Sequence, residues 1–426
     1  MPLPPGPASP AALQTYEWIA RPTALLRRAQ ARFGEPFTIR TLWTDGPMVL
    51  VSDPEDVRRI FTAEPGVLRG GESSSILEPF AGPSSILLLD GAEHLRQRRL
   101  MLPPFHGERV QAYRGVVTEL AEAEVERWPR GEPFAALPRM QGLTLDVIMR
   151  AVFGEREEPA LRDVLRSALD MAGSLPRLIA MSLVQRDLGP RSPWGRFMRA
   201  VHDVDDALRT VIRERRADPP GEDVLGLLLS AHDEEGEPPA DAELRDQLVT
   251  LLAAGHETTA TALAWALERL ARHPHALARL RAGDDAYLDA TVNEVLRIRP
   301  SLSIAPRKTL VPFRVGGWDL EPGVHVAPCL YLTHRRPELY PDPTAFRPER
   351  FLDGASPARY AFIPFGGGTR RCIGAAFATM ELREVLRVVA ARVALRPERP
   401  EGERMRRRGV TLSPSRGARV IAEPLA

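Results

Sequence analysis

The residues best suited to chemistry form a glycine-rich loop, Phe365-Gly366-Gly367-Gly368-Thr369-Arg370-Arg371-Cys372-Ile373-Gly374. Glycines let a backbone pass close to a flat ligand and aim N–H groups at a sulfur. An apolar helical pattern starts just after Cys372, so the positive helix end would favour a thiolate, and Arg370 supplies a cation beside it. The pattern predicts a thiolate that faces a large flat ligand. The alternative is a small buried cysteine in an ordinary glycine turn.

A second set of reactive residues lies in the middle of a predicted helix over Ala240–His273, about 50 Å long at 1.5 Å per residue. There the chain reads Ala254-Gly255-His256-Glu257-Thr258-Thr259. A threonine hydroxyl can bond back to a carbonyl and open the helix locally. An acid, a hydroxyl and a glycine gap would form a small groove lined with proton-transfer groups, and His256 is predicted to be structural. The alternative is a polar patch on an amphipathic helix.

Charged side chains at helical spacing mark two further elements. His94 and Arg98 share one face of a helix that Asp90 is predicted to cap, although a solvent-facing basic helix would look the same. Glu294 and Arg297 also share a face, and an exposed pair of this kind contributes under about 1 kcal/mol. The arginine run at 404–408 is predicted to be a solvated turn.

The elements that must position these residues are mostly helices. A helix is expected near Arg21–Phe33 and strands at Phe37–Leu42 and Met48–Ser52. Helical periodicity then dominates from 53 to 299, with strand signals at 301–332 and a β-like segment after Arg396. We therefore expect a mainly α fold with small β-sheets (α+β). It should be a single domain, 1–426, with a small β-containing N-terminal part of about residues 1–65 packed on the helical body.

Composition excludes several classes of protein. The 426 residues include 57 Lys and Arg against 56 Asp and Glu, so no global basic field indicates a nucleic-acid partner. Cys329 and Cys372 cannot form a disulfide framework, which favours a reducing compartment. No apolar run reaches the roughly 18–20 residues that span a bilayer. These features predict a cytoplasmic protein without a membrane anchor. We also expect a monomer.

Five elements, taken in order, resemble the cytochrome P-450 family, the haem-thiolate monooxygenases, and specifically its soluble bacterial members. They are His94/Arg98, the 254–259 hexad, Glu294/Arg297, the segment Phe346-Arg347-Pro348-Glu349-Arg350-Phe351 and the cysteine loop. The resemblance implies that haem b lies between the long central helix and the helix after the cysteine loop. It makes Cys372 the axial ligand of the haem iron.

The resemblance also implies roles for other residues. Thr258 and Glu257 would deliver protons, and Ala254 and Gly255 would leave room for dioxygen. Glu294, Arg297 and Arg350 would form a buried triad that supports folding and haem retention. The remaining haem-binding residues fall into two groups, the propionate partners His94, Arg98, Arg307 and Arg370, and the loop positions Phe365, Gly366 and Gly374.

The implied reaction inserts one oxygen atom into a hydrophobic molecule of the steroid, terpenoid, fatty-acid or polyketide class. Electrons would come from NAD(P)H through a separate ferredoxin and ferredoxin reductase. Two alternatives stay open, a peroxide-driven or non-oxygenating haem-thiolate enzyme and a haem-based sensor. The pocket is predicted at Ile86, Leu87, Leu251, Ala254, Ile304 and Ala305, and a basic docking patch, unless these are scattered solvated arginines, at Arg96, Arg99, Arg347, Arg350 and Arg371.

Overall fold

The computed structural model describes residues 2–42, 44–156, 158–179, 189–219, 221–233, 236–352 and 358–425, without the side chains at 172 and 174–179. Within these ranges most of the chain is helical. The helices are α1 (Ala11–Ala20), α2 (Pro22–Phe33), α3 (Pro54–Thr62), α4 (Glu78–Ala81), α5 (Gly91–Met101), α6 (Glu108–Ala112), α7 (Arg114–Glu126), α8 (Ala136–Phe153), α9 (Pro159–Ile179), α10 (Pro193–Ala217), α11 (Val224–Leu229), α12 (Asp241–Arg272), α13 (Pro274–Arg281), α14 (Asp285–Ile298), α15 (Leu330–Thr333) and α16 (Ala375–Arg392).

In the part of the chain that the structure describes, strands form four small sheets. They are β1 (Phe37–Ile39), β2 (Met48–Val51), β3 (Leu68–Arg69), β4 (Pro133–Ala135), β5 (Arg307–Thr309), β6 (Phe313–Val315), β7 (Trp318–Leu320), β8 (His325–Pro328), β9 (Ala394–Pro397), β10 (Met405–Arg408), β11 (Thr411–Pro414) and β12 (Arg419–Glu423). The largest sheet has the order β1-β2-β8-β5-β3, and only β2 and β8 pair in parallel. The others are β4-β12-β9, β10-β11 and β6-β7.

The long helix α12 organises the core. Its 32 residues span about 48 Å at 1.5 Å per residue, and it begins where the Glu243 carboxylate accepts the Ala240 N–H at 3.3 Å. Leu263, Ala264 and Leu267 on its second half are fully buried within the largest apolar cluster. Since a helix that is buried nearly all round must be covered by other elements, the helices α8, α10, α14 and α16 pack about it.

Two smaller apolar clusters hold the sheet-rich part to this body. One joins Trp18 and Leu26 of the first helices to Phe37 and Cys329. The other joins Val57 and Phe61 of α3 to strands of the largest sheet. The N-terminus of helix α3 is capped, because the Asp53 carboxylate accepts the N–H groups of Glu55 and Asp56. In the described residues no helix is long and apolar enough to cross a membrane.

The sequence-based expectations hold for the main elements and fail at one. The helix predicted over 240–273 is α12, and both N-terminal strands are present. The prediction of a solvated turn over 404–408 is wrong. Met405–Arg408 is a strand paired antiparallel with Thr411–Pro414, and Arg407 is buried with its guanidinium 4.4 Å from the centre of the Trp18 ring. A run of arginines looks solvated because sequence alone cannot show the aromatic ring beneath it.

Candidate functional site

The cysteine loop is a tight turn that depends on glycine. Gly366 and Gly368 have φ of 69° and 65°, in the left-handed region that other residues rarely adopt. A Cβ on Gly368 would lie 1.8 Å from the Phe61 carbonyl oxygen. The Cys372 N–H donates to the Phe365 carbonyl at 3.0 Å and closes the loop. Helix α16 begins at Ala375, directly after it, as the sequence predicted.

Cys372 is accessible from a cavity of about 480 Å³ that Phe365, Arg371 and Met380 also line. Burial raises the pKa of its thiol, while the Gly374 N–H and the cations of Arg371 and Arg98 act to lower it. The sequence placed Arg370 beside the sulfur, and this is wrong. Arg370 instead donates to the Leu89 carbonyl and to the Asp90 carboxylate, the latter at 2.6 Å.

Asp90 precedes α5 but does not cap it through its side chain. Its two carboxylate oxygens accept the N–H groups of Gly70 and Gly71, each at 3.0 Å, besides the Arg370 guanidinium. The predicted N-cap role is therefore wrong, although the helix begins at Gly91 as expected. The carboxylate is drawn away because two backbone donors and a cation bind it more strongly than one N–H of α5 would.

Three arginines, Arg98, Arg307 and Arg370, and one histidine, His94, converge beside this carboxylate. Asp90, His94, Arg307 and Arg370 line a cavity of about 30 Å³. Burial, together with Arg370, Arg98 and Arg307, lowers the pKa of His94 to about 4. Burial and Arg370 lower the pKa of Arg307 to about 10, and burial, Arg371 and Arg370 lower that of Arg98. The cluster therefore carries more positive charge than Asp90 can offset.

This arrangement fits a haem. His94 and Arg98 have no side-chain hydrogen bond to any described residue, so both have donors for a bound anion. Two propionate carboxylates would neutralise the surplus charge, and a charged hydrogen bond of this kind contributes about 1.5–3 kcal/mol. A thiol that coordinates a metal ion is deprotonated, which would overcome the raised pKa of Cys372.

The middle of α12 borders an open space. Ala254 is exposed although buried residues flank it on the same helix. The Thr258 hydroxyl donates to the Ala254 carbonyl at 2.7 Å, the back-bond that the sequence predicted, yet the helix stays continuous. The Ser301 hydroxyl donates to the Thr258 carbonyl at 2.9 Å. Thr258 and Ala254 thus lie one turn apart on the face that borders this space.

Gly255 and His256 face helix α8 instead. A Cβ on Gly255 would lie 3.1 Å from Ile148 Cδ1, so the glycine allows the two helices to approach closely. Gly255 thus makes a packing contact with α8, whereas Ala254 and Thr258 lie on the face that borders the open space. His256 is buried with its Nδ1 3.0 Å from the Thr144 hydroxyl, in keeping with the structural part predicted for it.

Glu257 is held by residues that sequence reasoning missed. Its Oε2 accepts the Gln141 amide at 2.7 Å, and its Oε1 accepts Arg408 Nε at 3.2 Å. The Thr411 hydroxyl lies 3.5 Å from Oε1. Burial raises the pKa of Glu257, while Arg408, Gln141 and Thr411 act to lower it. Strand β10 had been predicted to be a turn, so no sequence signal pointed to Arg408.

Two loops that carry the predicted pocket residues are tied to α12. The Ile86 N–H donates to Gln247 Oε1 at 3.1 Å, which places Ile86 and Leu87 near Leu251 on the next turn. The Ser301–Thr258 bond anchors the segment that carries Ile304 and Ala305. These residues belong to different apolar clusters, Ile86 and Leu251 to the largest and Ile304 and Ala305 to the two smaller ones.

Glu294, Arg297 and Arg350 are in contact. Arg297 donates to both Glu294 oxygens at 2.6 and 2.8 Å, and Arg350 Nε lies 3.2 Å from Glu294 Oε1. Arg297, fully buried, also donates to the carbonyls of His334, Pro343 and Ala345. The cluster therefore fixes the segment that leads toward the cysteine loop.

The predicted basic patch is largely neutralised. Arg96 pairs with Glu243 at 2.5 Å and Asp233 at 3.4 Å, Arg350 pairs with Glu294, and Arg347 lies 3.5 Å from Asp342. Arg371 is exposed at the cavity beside Cys372. The prediction that these arginines form one positive surface is therefore wrong for Arg96 and Arg350, whose charges are paired with acids.

Comparisons with known proteins agree with this architecture. The cytochrome P450 family model matches residues 2–418. The chain is 40% identical to cytochrome P450 135B1 of Mycobacterium tuberculosis, over 99% of this chain and 91% of that protein. It is 38% identical to cytochrome P450 138 of the same species, over 98% and 96% of the two chains.

Solved structures show the same fold. A cyanobacterial CYP120A1 with retinoic acid bound superposes with a TM-score of 0.89 at 26% identity, and the match covers all of both chains. The haem domain of cytochrome P450DA superposes with a TM-score of 0.88 at 24% identity, over 100% of this chain and 98% of that one.

The chain belongs to the cytochrome P450 family. The predicted mainly α fold with small sheets is confirmed. This is a haem-thiolate family whose cofactor is iron protoporphyrin IX, so the protein is an oxidoreductase of the monooxygenase class.

Proposed function

We propose that the protein inserts one oxygen atom from dioxygen into an apolar small molecule, by hydroxylation or epoxidation. The observation that carries this proposal is the pairing of Thr258 and Glu257 on the turn of α12 that borders open space at Ala254. When bound, the haem supplies the activation of dioxygen, with a thiolate ligand that favours O–O cleavage. The chain's own residues bind and orient the haem, exclude water and move protons.

Each group in the site takes one of these tasks. Cys372 is proposed as the axial ligand, and Phe365, Gly366 and Gly374 shape its loop. His94, Arg98, Arg307 and Arg370 bind the propionates, with Arg370 fixed in place by Asp90. The Thr258 hydroxyl, a donor to the Ala254 carbonyl at 2.7 Å, is placed to exchange that bond for one to a water. Glu257 supplies protons from the other side of the helix, a step of the kind that contributes about 10²–10⁴-fold.

An apolar substrate is supported by the side chains near α12. The predicted pocket residues are aliphatic, namely Ile86, Leu87, Leu251, Ile304 and Ala305. The side chain of Leu302 is also aliphatic and is 37% exposed, next to Ser301, which is held by its hydrogen bond to Thr258. Burial of such surface contributes about 25 cal/mol per Å². The CYP120A1 structure has retinoic acid bound, which makes that acid a suitable first compound in a screen of steroids, terpenoids, fatty acids and polyketides.

Electrons are proposed to come from NAD(P)H through a separate ferredoxin and its reductase. The cavity beside Cys372, with Arg371 exposed at its rim, is a candidate docking face. Arg114 and Arg383 there are paired with Glu384 and Asp289. Because paired charges attract a partner weakly, we expect association with ferredoxin to depend only modestly on salt.

We further propose one domain over 1–426, working as a cytoplasmic monomer. The proposal of one domain is supported by strands β1 and β2, which share a sheet with β8 and β5. Both cysteines are free, in keeping with a reducing compartment.

The deciding experiment is a substrate screen on the haem-loaded protein. Apolar compounds are added one at a time, and the absorption change that follows displacement of water from the iron is recorded. Binders are then assayed with dioxygen, NAD(P)H, a ferredoxin and its reductase. A product one oxygen atom heavier supports the proposal. Turnover with peroxide but not with reduced ferredoxin, or tight binding without any product, would favour a peroxide-driven enzyme or a sensor.

A further inference from the structure

The proposed reaction leaves one conspicuous cation without a task. Arg408, on the hairpin strand β10, reaches between two helices. Its Nε lies 3.2 Å from Glu257 Oε1 on α12, and its Nη2 lies 3.2 Å from Asp170 Oδ1 on α9. The exposed fraction of the side chain increases along the three residues, from 19% for Glu257 through 30% for Arg408 to 66% for Asp170. Arg408 is therefore the link between the buried acid and the surface.

Helix α9 has a gap that fits this guanidinium. A Cβ on Gly173, three residues after Asp170, would lie 2.7 Å from Arg408 Cζ and 2.8 Å from its Nη2. Real Cβ atoms do not approach that closely, so any larger residue would displace the guanidinium. A glycine in a helix interior is otherwise unfavourable. Its presence here is explained by the space that Arg408 occupies.

The remaining contacts restrict Glu257 from the other directions. Gln141 of α8 donates to the second carboxylate oxygen at 2.7 Å, and Thr411 of β11 lies 3.5 Å from the first. Thr411 in turn lies 3.0 Å from the Ser413 hydroxyl, which is 3.3 Å from Thr261 of α12. These partners are neutral. Arg408 therefore supplies the positive charge in direct contact with the Glu257 carboxylate.

We propose, on the basis of the function proposed above, that Arg408 is a positioning residue for proton supply. Its guanidinium lies against Gly173 and donates to Asp170. It thereby fixes the position of the Glu257 carboxylate on the turn of α12 that carries Thr258. Arg408 acts through its contact with Glu257. The hairpin β10–β11 is thus part of the catalytic apparatus and not only a cover over α1.

The charges around the carboxylate define what removal of Arg408 should do. Arg408 on β10 contacts the carboxylate directly and is itself paired with Asp170 on α9. Arg408 and Arg166 on α9 also lower the pKa of His256, the residue before Glu257 on α12. Burial raises the pKa of Glu257 and Arg408 opposes that rise. A cation this close lowers a carboxyl pKa by about 1–3 units. Without it Glu257 should hold its proton to higher pH.

The test compares Arg408→Met with Arg406→Met in the haem-loaded protein. Arg406 lies on the same strand, and its side chain is exposed. The control variant therefore removes the same charge from the same strand. Infrared difference spectra against Glu257→Gln report the C=O stretch of the protonated carboxyl through a pH titration. We expect the midpoint for Glu257 to rise by about 1–3 pH units in Arg408→Met, and to stay at the wild-type value in Arg406→Met.

A second pair of variants separates position from charge. Gly173→Ala keeps every charge and increases helix propensity, but its added methyl group occupies the space of the Arg408 guanidinium. Asp170→Asn removes the negative charge that pairs with Arg408. Both should shift the same infrared band, and both should lower the product formed per NAD(P)H consumed while oxygen consumption continues. Arg408→Lys should restore the midpoint in part, because an ammonium keeps the charge without the guanidinium fork.

An unchanged Glu257 midpoint in Arg408→Met would overturn the inference, as would wild-type coupling in both Arg408→Met and Gly173→Ala. Such a result is distinct from failure of the proposed function, in which the wild-type protein itself forms no oxygenated product. The infrared titration needs no substrate, so it decides whether Arg408 controls Glu257 even before a substrate is known.

Discussion

Ser301 and Thr258 are joined by a hydrogen bond in which the Ser301 hydroxyl donates to the Thr258 carbonyl at 2.9 Å. Leu302, the next residue, is exposed, and the Leu412 N–H donates to the Ser301 carbonyl at 2.8 Å. One serine therefore connects the turn of α12 that carries Thr258, the exposed apolar side chain of Leu302 and the hairpin β10–β11. A substrate that pushes on Leu302 would act directly on the backbone of Thr258.

Replacement of Thr258 should uncouple the reaction. Thr258→Ala removes the hydroxyl that donates to Ala254 but leaves the helix intact. We expect NAD(P)H consumption to continue while product per NAD(P)H falls by about 100-fold, the lower end of the range for a lost acid–base group. Thr258→Ser keeps the hydroxyl and is the control. Equal coupling in wild type and Thr258→Ala would remove Thr258 from the relay.

The two cysteines give a matched test of the axial ligand. Cys372→Ser should abolish the thiolate-specific absorption band of the ferrous–carbonyl complex. Cys329→Ala should retain it, because Cys329 is fully buried and burial raises the pKa of its thiol to about 12. A thiolate band that survives in Cys372→Ser and disappears in Cys329→Ala would reverse the assignment.

The buried charge cluster should dominate stability. Arg297→Met leaves the buried Glu294 with Arg350 and the Arg347 N–H as partners, and it removes donors from three backbone carbonyls. Breaking a buried pair costs about 3–5 kcal/mol, so the denaturant midpoint should fall sharply and haem should be lost earlier. In Arg28→Met, which removes an exposed pair with Glu17, the loss should stay below about 1 kcal/mol. Equal losses in the two variants would contradict a structural role for the cluster.

Buried histidines should make the fold acid-sensitive. Burial lowers the pKa of His256 to about 4 and that of His334 to about 3, against about 6.5 in the unfolded chain. Below pH 6.5 the unfolded chain therefore binds protons that the folded protein does not. The free energy of unfolding should fall toward pH 3–4 by about 1.4 kcal/mol per pH unit for each such histidine.

The control for that prediction is His256→Gln, which removes one titrating group and keeps a polar side chain near Thr144. Denaturant melts at a series of pH values should show a shallower decline between pH 6.5 and 4 than in the wild type. An identical slope in the two proteins would show that His256 takes up its proton in the folded state.

The sequence indicated some parts of the site because their spacing is local. His94 and Arg98 share a helix face, and the glycines around Cys372 define a turn whatever surrounds them. Contacts across long separations were accessible only through a family resemblance, as with Glu294 and Arg350, or not at all. Arg408 and Glu257 are 151 positions apart, and the pairing depends on a strand whose arginine-rich sequence looks solvated. Arg370 was misplaced for the same reason, since its partner Asp90 lies 280 residues earlier.

The contribution of Arg408 and Thr411 to the surroundings of Glu257 has a consequence for biosynthesis. Arg408 and Thr411 are synthesised after Cys372 and long after α12. A nascent chain can therefore present the cysteine loop while Glu257 still lacks its contacts with Arg408 and Thr411. Haem captured during translation would therefore enter a protein that binds it before it can use it. Competence for proton delivery would arise last, when the hairpin folds onto α12.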